Sequence, residues 1–174
     1  MTTTRSTLLE YVSENPGVHF NAVVRALDIT PDKLQRLTDE AAAELVVADL
    51  YGKSHFYTEE YDAFERRALA LVRRETTRDV LFYLLDAGRS TPATVAEEIG
   101  IARSTLSWHC DRLIDAGLLE KQRDGKRVEL VVRRPEEIHR LLSSVEPKLP
   151  ERWLDRTTRL FDHVLGGSDR VDET

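Results

Sequence analysis

The 174-residue chain holds one cysteine, Cys110, and one methionine, its first residue. A lone thiol cannot close an internal disulfide. No C-x-C, C-x-x-C or H-x-x-x-H spacing occurs, and His19, His55, His139 and His163 stand singly. Neither a metal-ligand set nor any cofactor is expected. The eight glycines form no phosphate-cradling loop, no nucleophile lies near a base in a recognisable pattern, and the carboxylates are spread as solvated faces. An enzyme is not expected. No apolar run approaches the roughly 20 residues of a membrane helix. The opening MTTTRSTLLEY lacks the basic region and apolar core of a signal peptide. The expectation is a cytoplasmic protein with no membrane contact.

Lysine is also scarce, 5 against 20 arginines, and 25 basic residues face 31 acidic ones for a net charge of −6. That balance excludes a generally basic, DNA-coating protein. An acidic, lysine-poor surface suits a salt-adapted organism, although GC-rich coding also favours arginine. The distribution says more than the sum. Basic and acidic residues number 9 and 12 over residues 1–74, 10 and 10 over 75–134, and 6 and 9 over 135–174. Only the middle stretch lacks an acidic excess.

That stretch contains the clearest pattern. Thr91-Pro92 is a helix start, a capping hydroxyl followed by proline at the first helical position. Val95, Ala96 and Ile99 share one face, and Gly100 permits a sharp turn. A second helix is expected from about Arg103 to Ala116, with Leu106, Cys110, Leu113 and Ile114 inward, ended by Gly117. Leu118 and Leu119 begin a strand, Asp124-Gly125 is a type I′ turn signal, and Val128, Leu130 and Val132 alternate on the return. Helix, turn, helix and hairpin in this order make a winged helix. Its outward face carries Arg103, Ser104, Thr105, Ser107, Trp108 and Arg112, and its wing carries Arg123, Lys126 and Arg127. Arginine grips phosphate or reads guanine bidentately, and serine reaches phosphates or base edges. These nine residues are the expected contacts to double-stranded DNA. Cys110, on the inward face, is expected to be core rather than a redox sensor.

The segment IARSTLSWHCDRLIDAGLLEK resembles the recognition helix of archaeal winged-helix regulators of the ArsR and MarR type. The shared positions are Ser104, Ser107, His109, Leu113, Ala116, Gly117 and Leu118, and the resemblance covers about sixty residues, from Thr76 to Arg134. Cys110 departs from it, standing where such regulators usually carry leucine. With the acidic composition, the resemblance points to an archaeal regulator of transcription, and a haloarchaeal source is expected. It implies repression and activation equally.

The same order of elements is expected earlier. A helix over Thr4–Glu14 is closed by Asn15-Pro16-Gly17. Val18-His19-Phe20 is extended, and Asn21 caps a helix carrying Val23, Val24 and Leu27. Thr30-Pro31 repeats the cap-plus-proline device before a helix over roughly Asp32–Glu44, followed by strands over Leu45–Leu50 and His55–Tyr57. NPGVHFN also resembles the opening of the N-terminal winged helix in archaeal tandem regulators. This copy is degenerate where DNA contact matters. Its would-be recognition helix exposes Asp32, Asp39 and Glu40 beside Lys33, Gln35 and Arg36, and carboxylates repel a phosphate backbone. Protein contact is the favoured role, with Gln35 and Arg36 keeping DNA contact open.

A connecting helix is expected over Thr58–Arg74. A helix starting at Thr76 or Thr77 follows, then one over Glu136–Val145. Beyond Pro147 and Pro150 a last amphipathic helix carries Trp153 and Phe161. The fold class is mainly α with small β-hairpin wings (α+β): two tandem winged helix-turn-helix domains plus C-terminal helices. The divisions are 1–58, a connecting helix at 59–75, the DNA-binding unit at 76–134, C-terminal helices at 135–165, and a flexible tail at 166–174. A homodimer is expected, with either the connecting helix or the C-terminal helices as its interface, the alternative being that these helices pack on their own chain. The alternative is a winged-helix protein-interaction module with little or no specific DNA binding.

Overall fold

A computed structural model describes residues 2–145. The expected helix bearing Trp153 and Phe161, and the tail, lie outside the described residues. Two compact units account for the rest: residues up to 78 together with Glu136–Val145, and residues 79–135.

The first unit runs α1 (Arg5–Glu14), β1 (Val18–His19), α2 (Phe20–Leu27), α3 (Pro31–Glu40), β2 (Leu45–Leu50), β3 (Lys53–Thr58) and α4 (Ala63–Val72). Thr4 caps α1 and Thr30 caps α3, each accepting the backbone N–H three residues on. The cap of α2 differs from expectation. His19, not Asn21, fills it, its Nδ1 accepting from the Ala22 N–H at 3.3 Å, so the helix begins at Phe20. A ring nitrogen serves there because the backbone of His19 is still extended as part of β1. The connecting helix also starts later than expected. Thr58 ends β3, and Asp62 caps α4 reciprocally with Glu65. The sheet order is β1-β3-β2, antiparallel, with Val18 opposite Phe56 and Leu45 opposite Thr58. Leu8, Val12, Val23, Leu34, Leu37, Leu45 and Phe56 fill the core beneath it. The helix α8 (Pro135–Val145) lays Ile138, Leu141 and Leu142 inward and pairs Arg140 with Glu65 at 3.1 Å.

Gly17 joins α1 to the sheet and has no freedom to be anything else. Its φ is +81°, its N–H donates to the Phe56 carbonyl at 2.8 Å, and an added Cβ would meet the Leu69 Cβ at 3.1 Å. Its carbonyl lies 2.7 Å from His55 Nδ1. That contact places the His55 proton on Nδ1 and leaves Nε2, buried and without a partner, as a bare acceptor.

Burial, followed by the cations Arg74, Arg73 and Lys53, holds His55 below its ordinary pKa of 6.5 despite the Gly17 bond. The unfolded chain therefore binds a proton just below pH 6.5 that the folded chain refuses. Stability from this group is full above 6.5 and is lost as pH falls toward the lowered value. Thermal unfolding should show a lower Tm at pH 5.5 than at pH 7.5, and His55→Gln should shrink that difference. An equal pH response in the variant would refute the assignment.

The second unit repeats the plan: α5 (Glu75–Ala87), β4 (Arg89–Ser90), α6 (Pro92–Ile99), α7 (Arg103–Asp115), β5 (Leu119–Asp124) and β6 (Arg127–Val132). The sheet order is β4-β6-β5, matching β1-β3-β2 element for element. The expected duplication of fold is therefore present. The helix α5 starts ahead of both Thr76 and Thr77, and Thr77 is buried within it. Leu106, Cys110 and Leu113 of α7 are buried, together with Leu118, Leu119 and Leu130. Asp124 pairs with Arg127, so the wing turns on Gly125-Lys126 rather than Asp124-Gly125. Only Gly125 of that pair has positive φ, +61°, the pattern of a type II′ turn, not I′.

Candidate nucleic-acid interface

Helix α7 presents its outward face as the spacing requires. Arg103, Ser104, Thr105, Ser107 and Trp108 are exposed while Leu106, Cys110 and Leu113 anchor the opposite face. The sequence explains the anchoring, since three apolar residues at i, i+4 and i+7 make one buried stripe. It also explains the open end. Thr91 caps α6 through its hydroxyl, but Ala102 at the start of α7 has no side chain to do so, and no acidic residue lies in the first turn. The first backbone N–H groups of α7 are left for an outside acceptor, at the positive end of the helix dipole.

Eight of the nine expected contact residues fall into three groups, and Thr105 stands apart from them. Arg103, Ser104 and Ser107 line a hollow of about 320 Å³ with Pro92, Cys110 and Lys121. Trp108 and Arg112 do not line it; they form a pair of their own. The Arg112 guanidinium carbon stands 3.7 Å from the centre of the Trp108 ring, stacked at i, i+4. That contact supplies the partner an exposed tryptophan lacks in the sequence: Trp108 keeps half its surface exposed and holds Arg112 in place. The His109 ring lies edge-on to the indole, with the ring centres 4.8 Å apart. The third group, Arg123, Lys126 and Arg127, is exposed at the tip of the hairpin, and Thr105 is exposed in the first turn of α7.

Lys121 escaped the sequence reading. The signal that finds it is the period of two on β5, which puts Lys121 on the same face as Arg123 and opposite Leu130 on β6.

Charge pairing separates these basic residues from their neighbours. Arg89 pairs with Glu129 at 3.5 Å and Arg133 with Glu120 at 3.7 Å, both across the sheet. Among the described residues, Arg103, Lys121, Arg123, Lys126 and Arg127 have no carboxylate partner. Cys110 is buried, and burial pushes its thiol up to about 11, so it is neither nucleophile nor ligand at neutral pH. No group of three His, Cys, Asp or Glu side chains among the described residues could hold a metal ion.

Residues 2–69 match the family model described as an N-terminal HTH domain, and residues 73–120 match the one described as winged helix-turn-helix DNA-binding. The chain carries two helix-turn-helix domains. The second match contains all of α7 and ends at the start of the wing. Solved structures with partial similarity include a MarR family transcriptional regulator from Silicibacter pomeroyi, 19% identical, covering 53% of this chain and 69% of that one with a TM-score of 0.34. Reduced AbfR bound to DNA is 16% identical over 60% of this chain and 78% of that one, TM-score 0.40. An ArsR family transcriptional regulator is 19% identical over 64% of this chain and 98% of that one, TM-score 0.38. No curated protein matches the chain. No helix among the described residues is long and apolar enough to cross a membrane.

Proposed function

We propose that the chain is a sequence-specific, DNA-binding regulator of transcription in the cytoplasm that works as a homodimer and reads DNA through its second helix-turn-helix domain. The observation that carries this reading is the set of cations on α7 and the wing, Arg103, Arg123, Lys126 and Arg127, that stand without carboxylate partners in a chain of net charge −6. Helix α7 enters the major groove. Arg103, Ser104 and Thr105 meet the backbone at its uncapped end, while Ser107 and Arg112 face base edges and Trp108 holds Arg112 in place. The wing grips the flanking phosphates. In a two-fold dimer the half-sites lie about one helical turn, or a multiple of it, apart. Selection of bound sequences from a random duplex pool by the native chain should enrich a two-fold symmetric motif with that spacing; a pool that stays random contradicts the reading.

The wing's share is testable by salt. Each phosphate contact contributes about −0.9 to the slope of log K against log salt. A Lys126→Ala/Arg127→Ala variant should flatten that slope by about 1.8 and weaken all sequences alike. An unchanged slope would remove the wing from the interface.

The first domain supports a separate reading at α3. Asp32, Asp39 and Glu40 are exposed there, and Gln35 is held by Asp39 at 3.1 Å rather than turned outward alone. That face suits a protein partner better than a groove.

A further inference from the structure

The first domain has an electropositive spot to which no residue of α3 contributes. His19 at the end of β1, Asn21, Val24 and Arg25 on α2, and Lys53 at the start of β3 surround an open hollow of about 500 Å³. Burial, and after it cations or potential cations, hold His19 below its ordinary pKa: Lys53 and His55 on β3, Arg25 on α2, and Arg73 beyond α4. Arg25 and Lys53 are exposed and, among the described residues, have no carboxylate partner; Arg5 and Arg140 of the same unit are paired with Glu44 and Glu65. Evolving such a cluster without counter-charge in an acidic domain leaves its repulsion for something else to neutralise.

The donors also converge by local chemistry. Because Nδ1 of His19 accepts the Ala22 N–H, the ring proton of the neutral imidazole sits on Nε2, a donor at neutral pH without any positive charge. Arg25 spends its Nε on the Asn21 carbonyl at 3.4 Å, which orients the terminal amino groups of the guanidinium. Asn21 stands in the first turn of α2, where the helix dipole favours negative charge. Two cations, an imidazole N–H and a carboxamide around one hollow form a donor-rich site for an oxyanion with several acceptor oxygens.

We propose that this hollow binds a phosphate group, as a second anion-binding site of the chain independent of α7. Its ligand is either a phosphodiester of a DNA backbone lying along the first domain or the phosphate of a small phosphorylated molecule; the recognition chemistry is the same. Arg25 and Lys53 neutralise it, His19 and Asn21 fix its orientation, and α3 takes no part.

The test follows the His19 imidazole resonances of the full chain by NMR during titration with inorganic phosphate and, separately, with a mixed-sequence DNA duplex. An Arg25→Gln/Lys53→Gln variant, altering only exposed side chains without a carboxylate partner among the described residues, serves as the control. If the source is a small phosphorylated molecule, phosphate shifts His19 saturably, the variant weakens this at least about tenfold, and the salt slope for DNA is unchanged. With a DNA backbone as source, the duplex shifts His19, and the variant flattens the salt slope by about 1.8. A His19 signal that neither probe moves, or that both move equally in the variant, overturns the site. Loss of operator binding in an α7 variant would leave the phosphate titration intact, so the two readings fail separately.

Discussion

Replacing Arg112 by alanine is expected to lower affinity for the selected operator about 5- to 150-fold, the equivalent of a lost bidentate base contact of about 1–3 kcal/mol, and to relax specificity at one base pair. Replacing Trp108 should cost less, about two- to fivefold, since an exposed cation–π stack contributes about 0.5–1 kcal/mol. The two losses should not add. With the ring 3.7 Å beneath the guanidinium, Trp108 acts by holding Arg112 in its working rotamer, so once Arg112 is gone the ring has little left to hold. A double-mutant cycle measured by fluorescence anisotropy checks this. Additive losses would mean that the indole touches DNA on its own account. Arg112→Lys should recover little, because an ammonium neither stacks flat nor forks to two acceptors.

The largest stability effect from a single added methyl is expected at Gly17. Alanine there brings two faults together. The left-handed backbone at φ +81° costs an L-residue about 1–2 kcal/mol. Its Cβ at 3.1 Å from that of Leu69, with the Tyr57 ring at 3.4 Å, adds an overpacking cost of about 1–3 kcal/mol. Relief by shifting Gly17 would disturb the 2.7 Å contact to His55 and the β1–β3 pairing that begins one residue later. Urea unfolding should show a lower midpoint, equivalent to about 2–5 kcal/mol of lost stability, with the m-value unchanged. A loss below about 0.5 kcal/mol would show that the turn adapts freely.

Much of this fold is legible in the sequence because its signals are local and periodic. Thr91-Pro92 and Thr30-Pro31 cap the helices they precede, and the Leu106, Cys110, Leu113 stripe is buried as its spacing requires. What was not legible depends on partners distant in sequence or on unusual caps. The two-residue strand β4 has no periodicity of its own and exists only through its pairing with β6. His19 caps α2 with a ring nitrogen, outside the usual Ser, Thr, Asp and Asn, so the eye passes to Asn21. The late start of α4 turns on Asp62 and Glu65 bonding reciprocally, while the acidic run Glu59-Glu60 just upstream gives a competing signal. At the interface, the outward residues of α7 follow from helical geometry alone. The hollow that joins three of them to Lys121 needs the register of β5, which sequence fixes only when the turn is placed correctly.

The central claim, that this chain regulates specific genes through the outward face of α7, is tested most directly by chromatin immunoprecipitation with sequencing in the source cells. The native chain is compared with a Ser104→Ala/Ser107→Ala/Arg112→Ala variant expressed at the same level. Because Ser104 and Ser107 are exposed, Arg112 is only half-buried and the buried stripe is untouched, the variant should stay folded. The account predicts discrete peaks that share a two-fold motif for the native chain and their loss in the variant. Equal peaks in both, or none in either with the chain held in a stable protein complex, would contradict it.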